Sequence, residues 1–103
     1  MRKPVTSEKQ IERRLVSGVQ KLGGKAYKFV SPGNTGVPDR IVVLPGGLVA
    51  FVELKAQDGE LTPGQKMQLG RLNRLGALVY VLRSEKCVDW FLDVCRKKLS
   101  VRR

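Results

Sequence analysis

Histidine is absent from this chain, and acidic residues are scarce: nine Asp and Glu stand against twenty Lys and Arg. The lack of histidine excludes imidazole acid–base chemistry and most zinc sites. Cysteine is limited to Cys87 and Cys95. Eight helical residues would separate them by about 12 Å, too far for a disulfide, and their spacing is not that of a metal site. They read as reduced thiols, which points to a cytosolic protein. No apolar run is long enough to cross a membrane, and the first residues hold no apolar signal core, so a cytoplasmic protein without a membrane partner is expected.

What remains is a basic chain of globular composition. Its 103 residues suit one domain, residues 1–103, with a modest core, and 42% of them are hydrophobic. The net charge of +11 is spread over the whole chain. An excess of that size points to a polyanionic partner, most simply nucleic acid.

The stretch from Gly36-Val37-Pro38-Asp39 to Glu53-Leu54-Lys55 organises the rest. Arg40-Ile41-Val42-Val43-Leu44 and Leu48-Val49-Ala50-Phe51-Val52 are apolar arms around a Pro45-Gly46-Gly47 turn, which predicts a β-hairpin. Apolar residues in succession predict that both faces are buried. If the three turn residues form the loop, Leu44 faces Leu48, and counting outwards puts Asp39 opposite Glu53. Directly opposed residues have Cβ atoms about 4.5–5.5 Å apart. Alternation turns Glu53 and Lys55 to the same face. Two opposed carboxylates repel, more so when buried. A divalent cation between them would remove the penalty, and oxygen-only ligation favours Mg²⁺ or Mn²⁺.

These residues also carry a family resemblance. Pro38-Asp39 followed by Glu53-Leu54-Lys55 resembles the signature of the PD-(D/E)XK nuclease superfamily. The longer string Lys28-Phe29-Val30-Ser31-Pro32-Gly33, Gly36-Val37-Pro38-Asp39-Arg40, Glu53-Leu54-Lys55, Thr62-Pro63-Gly64-Gln65 resembles its VRR-Nuc branch, in particular the small free-standing phage and bacterial members. The resemblance covers roughly residues 8–82. It implies an α/β fold with an αβββαβ core, a mixed sheet flanked by helices. It also implies a metal site of Asp39, Glu53 and the Leu54 carbonyl, completed by a glutamate on the first helix.

The flanking segments can be read from their own residues. Ser7-Glu8-Lys9-Gln10 fits a capping box for a helix from 8 to about 22, ended by Gly23-Gly24. Its apolar stripe is Ile11, Leu15, Val19 and Leu22, and Glu12 falls within it. A carboxylate there needs a reason, and Glu12 matches the helix-borne glutamate that the resemblance implies. Glu8 lies near the same face, where the helix dipole alone explains an acid. Residues 25–30 read as a strand, 31–36 as a glycine-containing loop beside Asp39, and 56–61 as a polar loop. Thr62-Pro63-Gly64-Gln65 starts a second helix with another capping box, running to about residue 75. Met67, Leu69, Leu72 and Leu75 are its main apolar positions. Gln65 has that structural role, and the resemblance adds a place beside the active site.

Residues 77–82 predict a buried strand, joined to the hairpin by a right-handed crossover. The last helix, 86–99, has Val88, Phe91, Leu92, Cys95 and Leu99 as its core stripe. Trp90 and Val94 project at roughly 200° and 240° from Val88, a candidate contact surface whose alternative is packing against the first helix.

The expected chemistry is phosphodiester hydrolysis. Asp39, Glu53, Glu12 and the Leu54 carbonyl are the expected metal ligands. Lys55 is expected to act on the water and the phosphate, with Gln65 in support. The expected substrate is DNA. Small VRR-Nuc relatives are associated with four-way junctions and homodimers, and a two-fold dimer offers the two related sites that junction resolution needs. A general nicking nuclease or a non-catalytic DNA-binding module are the alternatives.

Overall fold

The structure is a computed structural model and describes residues 7–101. Residues 1–6 and 102–103, which include Arg2, Lys3, Arg102 and Arg103, lie outside the described residues. The element order is α1 (Glu8–Lys21), β1 (Lys25–Lys28), β2 (Arg40–Leu44), β3 (Leu48–Leu54), α2 (Pro63–Arg74), β4 (Leu78–Leu82) and α3 (Glu85–Val101). This is the expected α/β arrangement, a mixed four-stranded sheet with helices on it and a C-terminal helix appended. The strands lie in the order β1-β2-β3-β4, antiparallel as far as β3, with β4 parallel to β3.

The hairpin has the register that its turn dictates. Pro45–Gly47 closes it, Gly46 and Gly47 adopt the left-handed φ of 81° and 79°, and Leu44 pairs with Leu48. The last observed pair at the open end is Arg40 with Val52, so the next residues outwards are Asp39 and Glu53.

The two faces of the sheet differ. Val42, Leu44, Leu48, Ala50, Val52, Leu54 and Leu82 point to one side. There they join Ile11, Leu15 and Val19 of α1 and Val88, Phe91 and Cys95 of α3 in one core. Gly18 lets the two helices approach, since a Cβ there would come within 2.2 Å of Leu92 Cδ1. Arg14 ties their outer edges, donating from Nε and Nη2 to the Asp89 carboxylate at 2.8 and 3.0 Å.

The other face is only partly covered, which corrects the expectation of a hairpin buried on both sides. Val49 is 40% exposed, and Ile41, Val43 and Phe51 are half-buried. α2 lies on this side, against β4, and it is short and sparsely packed. Of its four apolar positions only Leu69 is buried; Leu72 is half-buried, and Met67 and Leu75 are exposed. β4 is an edge strand with only Leu82 fully buried, not the buried strand that its apolar run predicted. β1 ends at Lys28, although Phe29 N–H still donates to the Asp39 carbonyl at 2.9 Å.

Candidate active site

The site forms where β2 begins and β3 ends, on the face that carries α2. Glu53 is a β3 residue with 1% exposure, and among the described residues it is the one carboxylate so buried. Its Oε2 accepts from Gln65 Nε2 at 3.1 Å and lies 3.8 Å from Lys55 Nζ. Its Oε1 is buried without a hydrogen-bond partner, and no other described side chain has a buried polar atom in that condition. A buried acceptor left unpaired is costly, so this oxygen is aimed at something other than the polypeptide.

Asp39 is held from two strands. Its carbonyl accepts from Phe29 of the β1 side, and its Oδ2 accepts from the Leu54 N–H of β3 at 2.9 Å. Burial, and then the negative charge of Asp39, push the Glu53 carboxyl up to about 7, while Lys55 pulls it down. Glu8, the first residue of α1, adds a smaller push in the same direction, so its charge reaches Glu53.

Gln65 arrives through the cap of α2. Thr62 Oγ1 accepts from Gln65 N–H, and Gln65 Oε1 accepts from Thr62 N–H at 2.9 Å. With Oε1 committed to the cap, the amide nitrogen is the end that faces Glu53. Gly36 sets the distance between the loop of residues 31–36 and this cap. Its φ is 89°, and a Cβ there would lie 2.6 Å from Gly64 C and 2.8 Å from Gln65 N. No side chain larger than hydrogen fits without moving α2 or the loop that leads to Asp39.

Asp39, Glu53, Lys55 and Gln65 thus converge. Glu12 goes elsewhere. It sits on the α1 face of the sheet, where its Oε2 accepts from Arg40 Nε and lies 3.1 Å from Arg40 Nη2. Leu54 buries its side chain in the core and gives its N–H to Asp39. Arg40, the partner of Glu12, has no role that its motif alone assigns. The signal available was a cation heading an apolar strand, one residue out of phase with Asp39 and opposite an acid in a buried helix stripe.

Among the described residues no three acidic or sulfur side chains gather closely enough to enclose a cation. The donor set nevertheless suits Mg²⁺ or Mn²⁺. Mg²⁺ keeps several waters and takes only one or two carboxylates, sharing the rest of its shell with substrate phosphate. A carboxylate pair with one unsatisfied buried oxygen meets that need.

Sheet order, register and site together define a nuclease-type α/β domain, and comparison with known proteins agrees. No protein-family model matches the chain. "Putative nuclease p44" of Acyrthosiphon pisum secondary endosymbiont phage 1 is 55% identical over 78 residues, 76% of this chain and 84% of the phage protein. A solved structure described as a VRR_NUC domain superposes with a TM-score of 0.79 at 32% identity, covering 84% of this chain and 94% of its own. A second, a VRR_NUC domain protein, has a TM-score of 0.60 at 18% identity, covers 90% of this chain and 88% of its own, and shares the fold. The chain belongs to the VRR-Nuc nuclease family.

Proposed function

We propose that this protein is a divalent-metal-dependent endonuclease that hydrolyses phosphodiester bonds in DNA. The observation that carries the proposal is the buried Glu53 Oε1, unpaired beside Asp39 and within reach of Lys55 through the same carboxylate. Asp39 and Glu53 would hold Mg²⁺ or Mn²⁺, with the Leu54 carbonyl as a further oxygen and Glu8 as the helix-borne carboxylate whose charge reaches Glu53. When bound, such an ion lowers the pKa of water and stabilises charge on the phosphate.

The chain's own residues supply the rest. Lys55, with a side chain 17% exposed, lies at the rim of the pair and can orient the attacking water and neutralise the developing phosphorane charge. Gln65 keeps Glu53 Oε2 engaged, so that Oε1 is the oxygen left for the ion. The net charge of +11 favours a polyanionic strand. Hydrolysis by this set leaves both products intact apart from the single broken P–O bond, with water divided between the new ends.

The proposed substrate is branched DNA, a four-way junction above all, and the proposed assembly is a homodimer. Two related nicks resolve a junction, and a two-fold dimer presents two related sites. Trp90 on α3 supports the dimer: it is 56% exposed, with one edge of its ring against Tyr80 at 5.9 Å between centroids. The test is incubation of labelled linear duplex, flap, splayed-arm and four-way-junction DNA with Mg²⁺, Mn²⁺ or chelator. Metal-dependent cuts with junction preference are expected. Binding without cleavage in either metal would replace the enzyme with a DNA-binding module.

A further inference from the structure

Arg40 follows Asp39 directly, and its side chain passes to the opposite face of the sheet. There it is almost fully used: Nε and Nη2 meet Glu12 Oε2, both at 3.1 Å, and Nη1 donates to the Ala26 carbonyl of β1 at 3.0 Å. The Arg40 side chain is 13% exposed and that of Glu12 30%. The pair combines a charge-assisted hydrogen bond from Nε with a close Nη2 ion-pair contact and is partly shielded from water, so it holds more firmly than a surface ion pair.

Asp39 is thereby fixed from three sides. β1 holds its carbonyl through Phe29 N–H, β3 holds its Oδ2 through Leu54 N–H, and α1 and β1 hold the adjoining residue through Arg40. Without the third restraint the first residues of β2 lie at the open end of the sheet, where Arg40 makes the last pairs with Lys28 of β1 and Val52 of β3. A displacement there turns Asp39 Oδ2 off the Leu54 N–H and changes its distance to Glu53. We infer that Glu12 and Arg40 form a strut that positions Asp39, and that Glu12 serves the site through Arg40 and not by ligating the ion. Both are positioning residues, and the inference rests on the metal-site reading above.

The alternative role for Glu12 makes a different prediction, because a ligand cannot give up its charge without loss of ion affinity, whereas an acceptor for Arg40 can. The experiment uses the full chain and the variants Glu12→Gln, Glu12→Ala, Arg40→Met and the double Glu12→Ala/Arg40→Met. Mn²⁺ affinity is read by calorimetry, and kcat and KM for DNA are read well below each unfolding midpoint. Glu12→Ala and Arg40→Met should each lower kcat about tenfold or more with little change in KM. The double variant should be no worse than the singles, since the two residues act as one unit. Glu12→Gln keeps an oxygen for Arg40 and should restore most of kcat, with Mn²⁺ affinity within about twofold of the unmutated protein.

A tenfold or greater loss of Mn²⁺ affinity in Glu12→Gln would make Glu12 a ligand and overturn the strut. So would multiplying losses in the double variant, or variants that lower the unfolding midpoint while kcat stays unchanged. Failure of the unmutated protein to bind Mn²⁺ would instead remove the metal-site reading, and the strut's purpose with it.

Discussion

Gln65 grips Glu53 with the one end of its amide that the helix cap leaves free: Nε2 donates to Glu53 Oε2 at 3.1 Å while Oε1 accepts from Thr62 N–H at 2.9 Å. A capping box accepts Glu as readily as Gln at this position, so the cap alone does not select the amide. The charge of Glu53 does. Gln65→Glu should therefore leave the cap in place yet set a third carboxylate against Glu53, raising its pKa further and weakening ion binding near neutrality. Cleavage in limiting Mn²⁺ should fall at least about tenfold, with recovery at higher Mn²⁺. Gln65→Ala should instead keep the Thr62 cap bond to the residue 65 N–H and lose only the return bond from Thr62 N–H, about 1 kcal/mol by thermal or urea unfolding.

The Glu53 carboxyl sits at about 7, above the value that it has in an unfolded chain. Below the ordinary carboxylate range it is protonated in both states. Between that range and about 7 the folded chain keeps a proton that the unfolded chain has lost. Unfolding then releases a proton, so stability falls as pH rises across this window and levels off above it. In chelator, the unfolding midpoint should drop from pH 5 to pH 8, and Glu53→Gln should flatten that contribution. Added Mn²⁺ should recover stability most at the alkaline end, where both carboxylates are ionised. A wild-type midpoint that rises through the window would contradict the burial and repulsion assigned to Glu53.

Lys55 lies 3.8 Å from Glu53 Oε2. Its two possible roles, ion pair and participant, separate in one variant. Lys55→Ala should cut the single-turnover rate by about 10²-fold or more while Mn²⁺ still binds. A wild-type rate would leave Lys55 as the partner of a buried carboxylate and nothing further.

The α3 surface tests the assembly. Trp90 is exposed at 56% and packs on Tyr80 of β4, while Asp89 and Glu85 are the α3 residues that meet Arg14 of α1. The ring contact of Trp90 is thus with β4 and not with the first helix, the intrachain alternative raised by its helical projection. Aromatic residues of this kind are enriched at interface hot spots. Trp90→Ala with Val94→Ser should give a folded monomer that nicks junctions without paired cuts, measured by light scattering and by the pattern of cuts. An unmutated protein that is monomeric yet fully resolves junctions would remove the dimer.

The parts of this molecule legible in its sequence are those with local physical rules. A Pro-Gly-Gly turn set the hairpin register, and two capping boxes marked Ser7 and Thr62 as helix starts. Alternation then put Glu53 and Lys55 on one side, and Gln65, which the resemblance set beside the site, donates to the same Glu53 carboxylate. The parts that were not legible depend on which neighbour covers a surface. Met67 and Leu75 look like core residues of α2 but are exposed at 51% and 78%, because α2 leans on an edge strand while Gln68 and Leu69 face inward. Glu12 lies in the buried stripe of α1, as its spacing implied, but that stripe faces the opposite side of the sheet from Glu53, and Arg40 satisfies it. Periodicity places a residue on a face of its helix; it does not say which face of the sheet that helix covers.

The most direct test of the metal-dependent nuclease reading compares the unmutated protein with Asp39→Ala and Glu53→Ala on a labelled four-way junction, with Mn²⁺ and with chelator, following binding and cleavage in parallel. Cleavage should require the ion in the unmutated protein and vanish in both variants. Binding should persist or strengthen, since each variant removes a negative charge near the phosphates. Cleavage that survives chelation, or that either variant retains at the unmutated rate, would contradict the assignment of Asp39 and Glu53 as the centre of a metal-dependent nuclease.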